Sequence, residues 1–284
     1  MGVWLQHPHA GLRLRGALSK HYSPRCEALR TEVGLNSISE NQVSMKETRQ
    51  TWFYRRLRLL VASAICCFAA VRPLSAQSHH DGGLWFAALG NGKIPGAEES
   101  PWRWWLDGHL RLRDDTGGFN QSIVRPGIGY SLKDNHALWA GYGWIRSDRV
   151  VGGGFDEHRI WQQWTYAPKL NDWRFLHRSR FEQRWVETGD DLGLRWRQMF
   201  RAQYILKSSP QWSLVGWDEA FFHLNDTDWG ANAGFDQNRV FLGVGFKRDA
   251  DARTRLEIGY LNQFVNRRNA TDGLNHILSV NLFF

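Results

Sequence analysis

Ten segments of roughly ten residues, each alternating apolar and polar side chains, recur between residue 102 and residue 284, and few folds accommodate that pattern. Segment 102–113 is the cleanest. Trp102, Trp104, Leu106, Gly108, Leu110 and Leu112 fall on one face, and Arg103, Trp105, Asp107, His109, Arg111 and Arg113 on the other. The last segment, 275–284, puts His276, Leu278, Val280, Leu282 and Phe284 opposite Asn275, Ile277, Ser279, Asn281 and Phe283. A period of two is that of a β-strand with one apolar side. Between these two segments the same reading gives strands over 122–132, 137–145, 157–167, 172–185, 194–206, 211–224, 237–246 and 253–265. Ten residues is the length a tilted strand needs to cross a bilayer.

The connections alternate as well. Segments 133–136, 168–171, 207–210 and 247–252 read as short turns, and 146–156, 186–193, 225–236 and 266–274 as longer loops rich in Gly and Asp. Short turns at one end and long loops at the other are the habit of a transmembrane barrel. A soluble sandwich is the alternative, with the same aromatics as its core. After residue 76 no apolar run is long enough for a membrane helix, so any span in that part must be β. Trp102, Trp104, Trp144, Trp173, Trp185 and Trp212 lie at strand ends on the apolar face, where an interfacial girdle needs them. The expected fold is all-β, an antiparallel up-and-down transmembrane β-barrel of about ten strands over 102–284. Segment 84–89 alternates only briefly. An eleventh strand would break the even count, so 77–101 is expected to be an N-terminal periplasmic or plug segment, with twelve strands as the alternative.

The front of the chain reads differently. Residues 1–44 show no sustained periodicity and suggest an over-extended translation start. Met45 opens a basic stretch with Lys46, Arg49, Arg55, Arg56 and Arg58, followed by an apolar run over 59–71 and a small-residue site ending at Ala76. That order is the order of an export signal, so 45–76 is expected to be a signal peptide read by the Sec pathway. All three cysteines (Cys26, Cys66, Cys67) precede residue 77, which excludes disulfides and thiol chemistry from the remainder. Residues 1–76 also hold 11 Lys/Arg against 4 Asp/Glu, leaving 25 against 24 in 77–284. The overall charge of +8 is therefore no footprint of nucleic-acid binding.

Several motifs in a fixed order carry a family resemblance. They are Glu157-His158-Arg159-Ile160-Trp161-Gln162-Gln163, Arg178-Ser179-Arg180-Phe181-Glu182-Gln183-Arg184, Asp218-Glu219-Ala220-Phe221, Asn238-Arg239, Glu257-Ile258-Gly259-Tyr260, and Asn275-His276 with the terminal Phe284. Over about 83–284 the chain resembles the bacterial domain of unknown function 2490. The resemblance implies a barrel in the bacterial outer membrane, where a final Phe284 serves as the sorting signal. It implies no activity.

With the apolar face given to lipid, the inward face holds Arg103, Arg111, Arg113, Arg125, Arg159, Arg174, Arg178, Arg180, Arg184, Arg195, Arg197, Arg201, Arg239 and Arg255, against Asp107, Glu157, Glu182, Glu219 and Glu257. Arginine rather than lysine matters, because a planar guanidinium binds carboxylate or phosphate through two donors. Glu157, Glu182, Glu219 and Glu257 are the expected lumen salt-bridge acids. Arg159, Arg178, Arg180, Arg184, Arg195, Arg197 and Arg239 are the expected anion-interacting residues, since rings of Arg line anion pores. The expected function is a structural or anion-interacting barrel, with a small pore as its sharper form. An outer-membrane hydrolase is the alternative, with a rim site near His223, Asp226, Asp228 and Asp190-Asp191, or a Ser179–His177 pair on the lipid face. No metal or cofactor is expected, because His158, His177, His223 and His276 fall on four strands without ligand spacing. The expected partners are outer-membrane lipid, lipopolysaccharide, the barrel assembly machinery and small anionic solutes, not nucleic acid.

Overall fold

The computed structural model describes residues 78–284, apart from 98, 149–152, 250–252 and 269. The expected start at Met45, the signal segment 45–76 and the cleavage after Ala76 lie outside the described residues. Twelve strands follow in order: β1 (His79–Lys93), β2 (Trp102–Arg113), β3 (Gly118–Ser131), β4 (His136–Asp148), β5 (Gly154–Tyr166), β6 (Lys169–Leu170), β7 (Trp173–Val186), β8 (Gly193–Ile205), β9 (Trp212–His223), β10 (Gly234–Phe246), β11 (Arg255–Val265) and β12 (Gly273–Phe283). Each long strand pairs with its neighbour, β5 pairs with β7 across the two-residue β6, and β1 pairs with β12. The result is a closed barrel of eleven strands with β6 as a small addition at one turn.

Two expectations are corrected. The strand count is eleven, not ten or twelve, and 77–101 is neither plug nor periplasmic segment, because β1 is part of the wall. An odd count closes because β1 and β12 run in the same direction, with Cα partners from His79–Gly273 to Leu89–Phe283. Elsewhere the ladder is antiparallel. β1 hid from its periodicity because glycines sit at Gly82, Gly83, Gly90 and Gly92. At Gly90 the absent side chain has a reason: a Cβ there would overlap the ring of Phe284 and meet that of Trp104. The Phe284 ring thus lies against Gly90 of β1, and the Phe284 N–H donates to the Leu89 carbonyl at 3.1 Å, extending the seam by one bond.

The loop asymmetry also disappears. At the end where β1 begins, hereafter the upper end, the connections are 114–117, 149–153, 187–192, 224–233 and 266–272. At the lower end they are 94–101, 132–135, 167–172, 206–211 and 247–254. Neither set is consistently longer. The ladder continues three or four residues beyond the alternating pattern at several upper strand ends, where a single aromatic (Phe119, Phe155 or Phe235) or none stands among Gly and polar residues and gives too short a period to read. The tight 132–135 turn is made by Asp134 and Asn135, at φ 58° and 66°. Successive left-handed residues match the twist of the two strands they join.

The outer surface is apolar. Leu106, Leu110, Ile128, Leu138, Ile160, Leu214, Leu242, Ile258, Leu278 and Leu282 are all exposed. Aromatics border this band on both sides. At the lower end Trp102 meets Tyr130, Trp173 meets Tyr204, and Trp212 meets Phe246, with ring centroids 4.8–5.2 Å apart. At the upper end Trp196, Phe222, Phe235 and Phe264 form a continuous row. Trp212 and Phe222 are ten residues apart on β9, about 33 Å along the strand and about 25 Å along the axis of a barrel of ordinary tilt.

The inward face holds more than charge. Trp85, Val215, Phe241, Leu261 and Ile277 pack together on one wall, and Ala137, Trp139 and Trp161 on another, joined by Trp105. Trp161 needs room to lie against the wall, and Gly127 and Gly141 provide it: a Cβ at either would overlap the indole. We expect Gly141→Val to destabilise the barrel by about 1–3 kcal/mol, the usual cost of overpacking. Urea titration in lipid vesicles measures it, and an unchanged midpoint would mean that Trp161 and the Pro126 carbonyl both give way.

Candidate functional site

Strand alternation delivers the charged positions to the lumen, where carboxylates are shared. Glu157 accepts from Arg159 Nε and Nη2 at 2.6 and 2.8 Å, and from the same two donors of Arg184. Glu182 accepts from Arg195 Nη2 and Arg197 Nη1, each at 2.6 Å, with Arg180 at 3.9 Å and Arg159 at 4.0 Å. Arg197 also reaches Glu219 at 2.8 Å, which accepts from Arg178 at 2.7 Å. Glu257 accepts from Arg201 and Arg255. A carboxylate has lone pairs for two guanidiniums, so few acids can hold many arginines. The excess positive charge remains after the hydrogen bonds are made.

Other features of the lumen were not read from the sequence. Asp81 on β1 faces inward and holds Arg113, and Asp236 lies 3.4 Å from His223 and 3.8 Å from Arg195. Asp81 was missed with its strand. Arg174 turns back to donate to the carbonyls of Asn171 and Trp173. Guanidiniums also lie over inward aromatic rings: Arg180 over Trp161 at 4.5 Å, Arg197 over Phe221 at 4.6 Å, and Arg255 over Phe283 at 4.3 Å. The parity of Trp161 with Arg159 was the available signal. Such stacking offsets part of the cost of burying a cation.

Two cavities occupy the lumen. The lower is about 690 Å³ and is lined by Arg103, Asp107, Arg178, Arg201, Glu257 and their neighbours. The upper is about 380 Å³, with Arg113, Glu157, Arg159, Arg184 and Arg195 among its walls. Five residues line both: Trp85, Arg111, Arg125, Arg197 and Arg239. They form a waist contributed by β1, β2, β3, β8 and β10.

The upper rim is organised by Asp228, in loop 224–233. Its carboxylate accepts the N–H groups of Asp190 at 2.7 Å and Asp191 at 3.1 Å, while its own N–H donates to the Asp191 side chain at 2.8 Å. Trp229 donates to the Asp191 carbonyl and lies against Arg184 in the barrel mouth. These backbone donors, Asp190 first, hold the Asp228 carboxyl below its ordinary value. A depressed carboxylate stabilises the fold fully above the unfolded value near 4 and loses that contribution as pH falls through the folded one. Protease cleavage within 224–233 should therefore stay slow down to about pH 4, increase below it, and be fast at neutral pH in Asp228→Asn. Equal cleavage of both proteins at neutral pH would show that the rim is held by other contacts.

The expected hydrolytic groupings do not assemble. His223 faces Asp236 rather than Asp226 or Asp228. On the outer face Ser179 accepts from Trp196 Nε1 at 2.8 Å, and His177 contacts Gln198, so these two residues are engaged separately. His158 and His276 each meet a tyrosine, Tyr142 and Tyr260.

Comparison with known proteins gives a family. An uncharacterized protein of Methylorubrum extorquens is 33% identical over 234 residues, covering 81% of this chain and 98% of its own. Two solved structures of the outer-membrane protein OmpT of Vibrio cholerae are more distant. The outer-membrane expressed form is 17% identical with a TM-score of 0.34, covering 58% of this chain and 55% of that one. The in-vitro folded trimer form is 14% identical with a TM-score of 0.35, covering 60% and 59%. This chain thus spans less than two thirds of the length of those structures. Residues 82–274 match the family described as Protein of unknown function (DUF2490), and the chain belongs to that family.

Proposed function

We propose that this protein is a bacterial outer-membrane barrel, exported through Sec, that admits small acidic solutes to an arginine-lined lumen. The membrane part rests on the apolar band between two aromatic rows, whose height of about 25 Å suits an outer membrane. Phe284, packed on the closing seam, is the sorting signal in this reading. The solute part rests on one observation above all: two cavities lined by guanidiniums in excess of carboxylates meet at a waist that itself carries four arginines. A low-dielectric wall with one sign of charge raises the local concentration of opposite ions by tenfold or more. It repels cations equally.

Uptake by proteoliposomes of succinate, erythritol and putrescine separates the possibilities, because the three share a four-carbon frame and differ in charge. Succinate should enter fastest and putrescine slowest. Replacing Arg178, Arg180 and Arg184 together by Gln should reduce the succinate preference by about tenfold while leaving erythritol unchanged. Equal entry of putrescine and succinate into vesicles holding the folded barrel would overturn the proposal.

A further inference from the structure

The four arginines of the waist are not equivalent. Arg125 donates to Asp107 at 2.7 Å, and Arg197 bridges Glu182 and Glu219. Among the described residues, no carboxylate lies within ion-pair distance of Arg111 or Arg239. Each donates to one amide oxygen, Arg111 to Gln121 at 2.8 Å and Arg239 to Gln237 at 3.2 Å. Both guanidiniums lie over the ring of Trp85, at 4.0 and 5.0 Å from its centroid.

All three side chains are more than nine-tenths buried: Trp85 is 7% exposed, and Arg111 and Arg239 are 9% each. Each also carries a buried donor with no acceptor among the described residues, namely Trp85 Nε1, Arg111 Nε and Arg239 Nε. The like charges of Arg239, Arg125, Arg159 and Arg197 bear on Arg111. Glu219 and Asp236 bear on Arg239, but both accept from other groups. A ring face attracts a cation without accepting a hydrogen bond in the guanidinium plane, so stacking leaves the Nε donors unsatisfied. Burying unpaired donors on charged groups is among the costlier arrangements in a protein.

We propose that Arg111, Arg239 and Trp85 form a binding seat for a small oxoanion at the waist between the two cavities. The inference rests on the anion-admitting reading above and deepens it by naming a site and a ligand class. An oxoanion, carboxylate or phosphate, offers several acceptor oxygens to guanidinium edges and to the indole N–H, and it supplies the negative charge these two arginines lack. Chloride could offer the charge but not the spread of acceptors.

The test is calorimetric titration of inorganic phosphate into the folded full-length protein in detergent micelles, which needs no conduction. Saturable binding is expected. Arg111→Gln and Arg239→Gln should each weaken it about tenfold or more, the worth of one charge-assisted hydrogen bond. Trp85→Phe keeps an aromatic face, loses the N–H together with part of the ring, and should weaken it less. Arg248→Gln, on an exposed lower turn, should leave it unchanged, and circular dichroism with heat-modifiable mobility establishes that each variant is folded. No phosphate binding to the folded protein, or equal binding by the Arg111 and Arg239 variants, would overturn the seat. Succinate preferred over putrescine in uptake, without such phosphate binding, would leave the wider reading standing while this one fell.

Discussion

Glu182→Gln should cost the barrel about 3–5 kcal/mol of stability, the usual consequence of removing one partner from a buried ion network. Glu182 is 0% exposed and is the common acceptor of Arg195 and Arg197, with Arg180 and Arg159 close by. Glutamine keeps the size, discards the charge, and turns an NH₂ towards guanidiniums that can only donate. Arg195 would keep only the more distant Asp236, and Arg197 would keep Glu219. The exposed pair Arg248–Asp249 sets the comparison: Asp249→Asn should change stability by no more than about 1 kcal/mol. Equilibrium unfolding in lipid vesicles reads both. A Glu182→Gln protein as stable as its parent would mean that water enters the lumen freely enough to screen these charges.

The second large effect concerns the outer face. Leu242, 65% exposed, stands between the two aromatic rows, next to Gly216 on β9 and Tyr260 on β11. In water an exposed leucine can be exchanged for arginine at almost no cost. At the middle of a bilayer the same exchange costs about 2–4 kcal/mol. Leu242→Arg should therefore destabilise the barrel by that amount in vesicles, whereas Arg at Leu224, just beyond the upper end of β9, should cost about 0–1 kcal/mol. A flat profile between the two positions would contradict the membrane-spanning account.

Much of the wall was legible because alternation is a local signal. Segment 102–113 was read to the residue, since lipid on one side and charge on the other mark every position. β1 was not legible as a wall strand, because its glycines carry no pattern, and the purpose of Gly90 and Gly92, room for Phe284 and Trp104, is visible only once the seam has closed. Its parallel pairing with β12 is a property of closure, not of either strand. The inward arginines were legible by parity; their partners were not. That Glu157 serves both Arg159 and Arg184 is a neighbour effect between β5 and β7, but that Arg201 on β8 reaches Glu257 on β11 crosses the lumen and depends on its width. The waist needed the same knowledge, since Trp85, Arg111 and Arg239 meet only because β1, β2 and β10 curve around one axis.

The most direct measurement is the reversal potential of the folded barrel in a planar bilayer under a gradient of potassium chloride. Discrete conductance steps are expected, with a potential of the sign set by chloride. Steps selective for potassium, or a correctly folded barrel that stays silent, would contradict an arginine-lined lumen open to anions.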